Sequence, residues 1–166
     1  MKNVFTLFVS LLSVFYIVAQ EPIKESLSKK EKAEKLLSTK IEIDVNTEMF
    51  TPVAINTYVS EKPKGLIMTL IVPESYQKAK ETLNNKISEE IVVTEQGEKT
   101  VNGITFLYVN GYTESEGKKL SSTIYCVKYN KESCLMFMGM IDEDATTKHK
   151  NAIANAAISI VKNYEN

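Results

Sequence analysis

The residues best equipped for chemistry in this chain are its two cysteines, Cys126 and Cys134. Their spacing is not C-x-x-C. Both fall in strand-like segments rather than at a helix N-terminus, so nothing in the sequence lowers a thiol pKa. A disulfide is the expected use, on a geometric condition. If Tyr129, Asn130 and Lys131 form a three-residue loop, Lys128 opposes Glu132 and Cys126 falls directly opposite Cys134, where Cα separations of about 4.5 to 5.5 Å suit a bridge. Pairing Tyr129 with Ser133 instead leaves the cysteines diagonal, at roughly 7 to 8 Å, too far to bridge. The alternative use of the pair is thiol–disulfide exchange with a substrate.

Other chemistry is sparse. The single histidine, His149, falls on an apolar helical stripe and reads as a partly buried structural residue, since no second histidine or nucleophile pattern accompanies it. There is no G-x-S-x-G elbow, H-E-x-x-H pair or Walker loop. Ser26 with Lys29 and Ser115 with Lys118 match S-x-x-K without its companion motifs. Asp142, Glu143 and Asp144 could hold calcium, but no regular oxygen-ligand loop follows, and carboxylates opening a helix explain them. Phe106, Tyr108 and Tyr112 alternate on one strand face, as core or as the lining of a ligand groove. No catalytic, cofactor-binding or metal-binding residues are expected.

The chain of 166 residues carries 20 basic and 21 acidic groups. Every basic residue is lysine, and arginine's planar fork does most bidentate reading of phosphate and guanine, so nucleic acid is not an expected partner. Residues Met1 to Ala19, MKNVFTLFVSLLSVFYIVA, place one lysine before an apolar run and end in a small residue, the pattern of a secretory signal cleaved between Ala19 and Gln20. The run is too short for a stable membrane span. A secreted or periplasmic location follows. Residues 20–40 are polar with loosely spaced apolar positions, giving a tether or a frayed helix, and 41–166 fit one domain.

Period-two alternation marks strands at Ile41 to Val45, Pro52 to Ser60, Leu66 to Val72, Ile91 to Thr94, Lys99 to Val101, Ile104 to Tyr112, Leu120 to Tyr129 and Cys134 to Ile141. Asn102-Gly103 suits a type I′ hairpin turn. A helix with Ser75 as N-cap carries Tyr76, Ala79, Leu83 and Ile87 on one face, and a second opens at Asp142 to Asp144 and presents Ala152, Ile153, Ala156 and Ile160. Strands in hairpin succession, interrupted by one helix and closed by another, predict an α+β domain with an antiparallel β-sheet and helices packed on it.

The order of elements over Ile41 to Asn163, with the run VNGITFLYVNGYTESEGKKLSSTIYCVKYNKESCLMFMGMI and a closing helix ending in SIVKN, resembles the PsbP-like superfamily. That superfamily is an α/β/α sandwich found in a photosystem II extrinsic subunit, a Ran-binding import factor and bacterial envelope proteins. The resemblance implies the sandwich and an accessory role, binding an envelope or extracellular protein or a small ligand without catalysis. It carries over no site residues.

Overall fold

The computed structural model describes residues 23–87, 91–115 and 117–164. The expected signal segment and its Ala19–Gln20 cleavage point lie outside them. In chain order the elements are α1 (Ile23–Leu37), β1 (Thr51–Ala54), β2 (Thr57–Glu61), β3 (Lys64–Val72), α2 (Tyr76–Lys86), β4 (Val92–Val101), β5 (Ile104–Ser115), β6 (Lys118–Lys128), β7 (Cys134–Asp142) and α3 (Thr147–Asn163). The strands form one seven-stranded sheet in the order β1-β2-β3-β7-β6-β5-β4. Every neighbouring pair is antiparallel. Two meanders, β1 to β3 and β4 to β7, therefore meet where β3 pairs with β7.

Those two central strands are apolar on both faces, as strands covered on both sides must be. All nine residues of β7 are buried. On one face Leu70, Val72, Ile124, Cys126 and Met136 pack with Ala79, Leu83 and Ile87 of the α2 segment. On the other, Ile67, Ile71, Phe106, Leu135 and Phe137 pack with Ala152, Ile153, Ala156 and Ile160 of α3. The architecture is the expected α+β, α/β/α sandwich. Gly139 permits the close approach of α3: a Cβ there would stand 2.4 Å from Cγ2 of Ile153.

Local chemistry explains the boundaries. Ser75 is extended (φ −60°, ψ 154°) and its side chain accepts from the Lys78 N–H, capping α2. Asn102 and Gly103 both have positive φ, 52° and 83°, the signature of the I′ turn. The expected strand Pro52 to Ser60 is instead a hairpin, β1 and β2, turning at Ile55 and Asn56, with Asn56 at φ 54°.

Ile41 to Val45 keeps its alternation of burial yet is not a strand. Side chains satisfy its backbone instead of a ladder: the Ile41 N–H donates to Asn56 Oδ1 (2.8 Å), Glu42 to the Tyr164 hydroxyl (3.0 Å) and Asp44 to Ser159 Oγ (2.9 Å). The segment is thus laid against α3. The residues read as a tether or frayed helix hold α1, whose last turn sends Leu37 against one core and Leu36 against the other. The last helix starts at Thr147, beyond the acidic triplet. Asp142 instead ends β7, where its Oδ2 accepts the Lys64 N–H (2.9 Å) and ties β3 to β7.

Candidate functional site

On the α3 side of the sheet, β4, β5 and β6 extend past the helix, which lies over β7 and β6. Strand alternation and the β5–β6 register bring Tyr108 opposite Tyr125, Asn110 opposite Thr123 and Tyr112 opposite Ser121 on this face. Asn110, Tyr112, Ser121, Thr123 and Tyr125 are all half-exposed. Val92 of the edge strand is paired with Tyr112 and is 54% exposed. The face is therefore a tyrosine-rich platform with amide and hydroxyl groups between the rings.

Of the three aromatics singled out from the sequence, Phe106 is core, with its ring centroid 4.8 Å from that of Tyr125. Tyr108 is buried at 9% exposure. Its hydroxyl donates to Glu95 (3.0 Å), and the Lys99 ammonium sits 4.0 Å from its ring centroid. The hydrogen bond holds the Glu95 carboxyl below its usual range and pushes the Tyr108 hydroxyl up. Tyr112 faces outward, with Lys119 Nζ 4.6 Å from its centroid. Both lysines are placed for cation–π attraction. Tyr125, pushed up chiefly by burial, belongs to the face and was missed. Its signal was the alternation Thr123, Tyr125, Val127 on β6, which acquires meaning only once the β5–β6 register is known.

The expected cysteine register is overturned. Lys128 pairs with Cys134, and Cys126 pairs with Met136, so the two cysteines are diagonal and both are free. The cause is the connection between β6 and β7. Asn130 Oδ1 accepts the N–H groups of Glu132 (2.8 Å) and Ser133 (2.9 Å), and the Ser133 carbonyl receives those of Tyr129 (3.1 Å) and Asn130 (3.0 Å). This side-chain-closed turn needs residues 129 to 133, two more than the three-residue loop. Both cysteines have 0% exposure. Hydrogen bonding to Cys134 and burial push the Cys126 thiol well above its ordinary value.

The remaining candidates fall elsewhere. His149 is half-buried on the first turn of α3, with Nδ1 2.9 Å from Thr146 Oγ1. On the opposite face a cleft of about 210 Å³ lies between α2 and β4–β5, lined by Lys80, Asn84, Gln96 and Glu98 over Leu83 and Leu107. Lys80 pairs with Glu98 across it, and Tyr76 donates to the same carboxylate. Among the described residues no helix is long and apolar enough to cross a membrane.

No family model and no curated protein matches the chain. Among solved structures it is similar to the crystal structure of LpqN, involved in cell envelope biogenesis of Mycobacterium tuberculosis. That similarity has 14% sequence identity and a TM-score of 0.47, and covers 73% of this chain and 79% of that one.

Proposed function

We propose that the chain is an exported, noncatalytic domain that recognises a protein partner through the tyrosine face of β4 to β6. The observation that carries this reading is the row of half-exposed Tyr112, Tyr125, Asn110 and Thr123 beyond the edge of α3. Protein interfaces are enriched in tyrosine because the ring supplies large contact area and a polar tip while few rotatable bonds need freezing. Lys99 and Lys119 on the ring faces hold two of the tyrosines in place before any partner arrives. The pattern of Met1 to Ala19 supports export to the periplasm or beyond. The thiol-exchange alternative draws no support from two fully buried thiols, one of them held protonated.

A photo-crosslinking residue placed at Tyr112 in the full-length protein in its native cells tests the reading, with the same residue at Val53 on the opposite edge as control. A discrete protein adduct from position 112 alone is expected. Equal labelling from both positions, or none from 112, would remove the face from recognition, and a small-molecule adduct would replace the protein partner by a ligand. Mass mapping of the native N-terminus should place Gln20 first; intact Met1 would refute cleavage.

A further inference from the structure

The two edges of the sheet are built differently. β1 is four residues long, carries Pro52, which has no N–H to offer, and breaks register between Pro52 and Ala54. Short length, proline and a bulge are the usual devices that stop an edge from pairing. β4 runs for ten residues, VVTEQGEKTV, without a proline, and among the described residues no strand lies beyond it. Its charges are not held out to guard it either. Glu98 is drawn to Lys80 and Tyr76 over one face, and Glu95 accepts from Tyr108 and Asn110 over the other, with Lys99 3.8 Å away. A long edge of this kind is a template for a further strand.

We propose that β4 pairs with β4 of a second copy of this chain, antiparallel about a two-fold axis through Gly97. The sequence of the strand selects the occupant. Around Gly97, Glu95 is balanced by Lys99 and Gln96 by Glu98, with valine near each end at Val92 and Val101. Glu95, Gly97 and Lys99 lie on the α3 side, opposite Asn110, Tyr108 and Phe106 of β5, whereas Gln96 and Glu98 lie on the α2 side, opposite Val109 and Leu107. Opposed residues of an antiparallel pair share a face, so a two-fold pairing must seat one residue on its axis. With Gly97 there, each Glu95 carboxylate meets Lys99 of the second copy, and each Gln96 amide donates to Glu98 of the second copy. Centring on Glu95, Glu98 or Lys99 would set like charges face to face, which is destabilising. Centring on Gln96 would leave Lys99 against the apolar Val92.

The extra residue at Thr94 does not break the fit. β5 already passes it, stepping from Asn110 opposite Glu95 to Gly111 opposite Val93. The same step on the outer side brings Val101 of the second copy onto Val92, one of the large apolar side chains left exposed. Every contact then occurs twice, the self-complementary pattern of an isologous dimer. The two seven-stranded sheets become one continuous sheet, with β4 no longer an edge.

Sedimentation of the chain purified from its native cells, across a wide concentration range, tests the pairing. A reversible dimer of twice the chain mass is expected. Glu95→Lys and Lys99→Glu each create two like-charge pairs in the symmetric dimer and should weaken it by about tenfold or more. Mixing the two variants restores opposite charges at both contacts and should return a dimer holding one copy of each. A monomer at every concentration, a dimer indifferent to either reversal, or no association in the mixture would overturn the proposal. Should a reversal cost the fold, Val92→Cys with Val101→Cys in one chain decides. These positions lie at opposite ends of β4, so oxidation can join them only between copies, where directly opposed residues suit a disulfide. A dimer with both bridges is expected, and a product without them would overturn the pairing. The readout needs no other protein, so it stands or falls independently of partner recognition by the tyrosine face.

Discussion

Cys126 faces Met136 across the β6–β7 ladder, and Cys134 faces Lys128. Cα atoms of diagonal pairs lie roughly 7 to 8 Å apart, beyond an unstrained disulfide. Native protein, denatured without reductant and alkylated, should therefore carry two modified thiols. Without denaturation it should carry none, because both side chains are fully buried. A species lacking two hydrogens and resistant to alkylation would show that the strands slip to a bridging register.

Truncation before Thr39 should destabilise the domain. Leu36 and Leu37 are half-buried against the two cores, and losing about 1 kcal/mol at each is in line with partial burial of a leucine. A fall in Tm of roughly 5 °C is expected for a domain of this size. Unchanged melting would mean that α1 contributes only a loose cover.

Gly139→Ala should cost roughly 1 to 3 kcal/mol, the usual penalty of overpacking. The new methyl would lie 2.4 Å from Cγ2 of Ile153 and 3.0 Å from the Phe137 ring. Adding Ile153→Ala to Gly139→Ala should cost less than the sum of the two single changes, since the clash disappears. Urea denaturation of the four proteins measures the coupling, and strict additivity would place α3 farther from the sheet.

Acid should weaken the β4 edge first. Tyr108 and Asn110 hold the Glu95 carboxyl low, and Lys80 and Tyr76 do the same for Glu98. A carboxylate depressed in the folded state gives its full stabilisation above the unfolded value of about 4.3 and loses it as pH falls through the lower folded value. Glu95→Gln and Glu98→Gln should flatten that acid limb and lower neutral-pH melting by the matching amount, which is small because exposed groups are screened by solvent. An acid limb as steep in the double variant as in the parent would assign it to other carboxylates.

Features written in local chemistry were legible before the structure. Ser75 announces the start of α2, Asn102-Gly103 the first turn of the second meander, and the alternation of β5 to β7 the sheet itself. What escaped depends on side chains meeting backbone at a distance. Ile41 to Val45 alternates as a strand does, but Ser159 and Tyr164, more than a hundred residues away, take its N–H groups. The β6–β7 register was likewise hidden behind a turn closed by one asparagine oxygen, which separates the cysteines. Tyr125 stands beside Tyr108 through the separate β5–β6 register.

The β3–β7 seam has a consequence for how the chain reaches its form. Each meander is contiguous in sequence, so its hairpins close over short loops and can assemble early, at small entropic cost. The seam joins residues as far apart as Gly65 and Ile141, and it alone carries the long-range pairing of the sheet. The domain is in effect two sequential halves docked along one line. A chain severed between α2 and β4 retains every hairpin within one piece or the other, leaving the two pieces to find each other as complementary fragments.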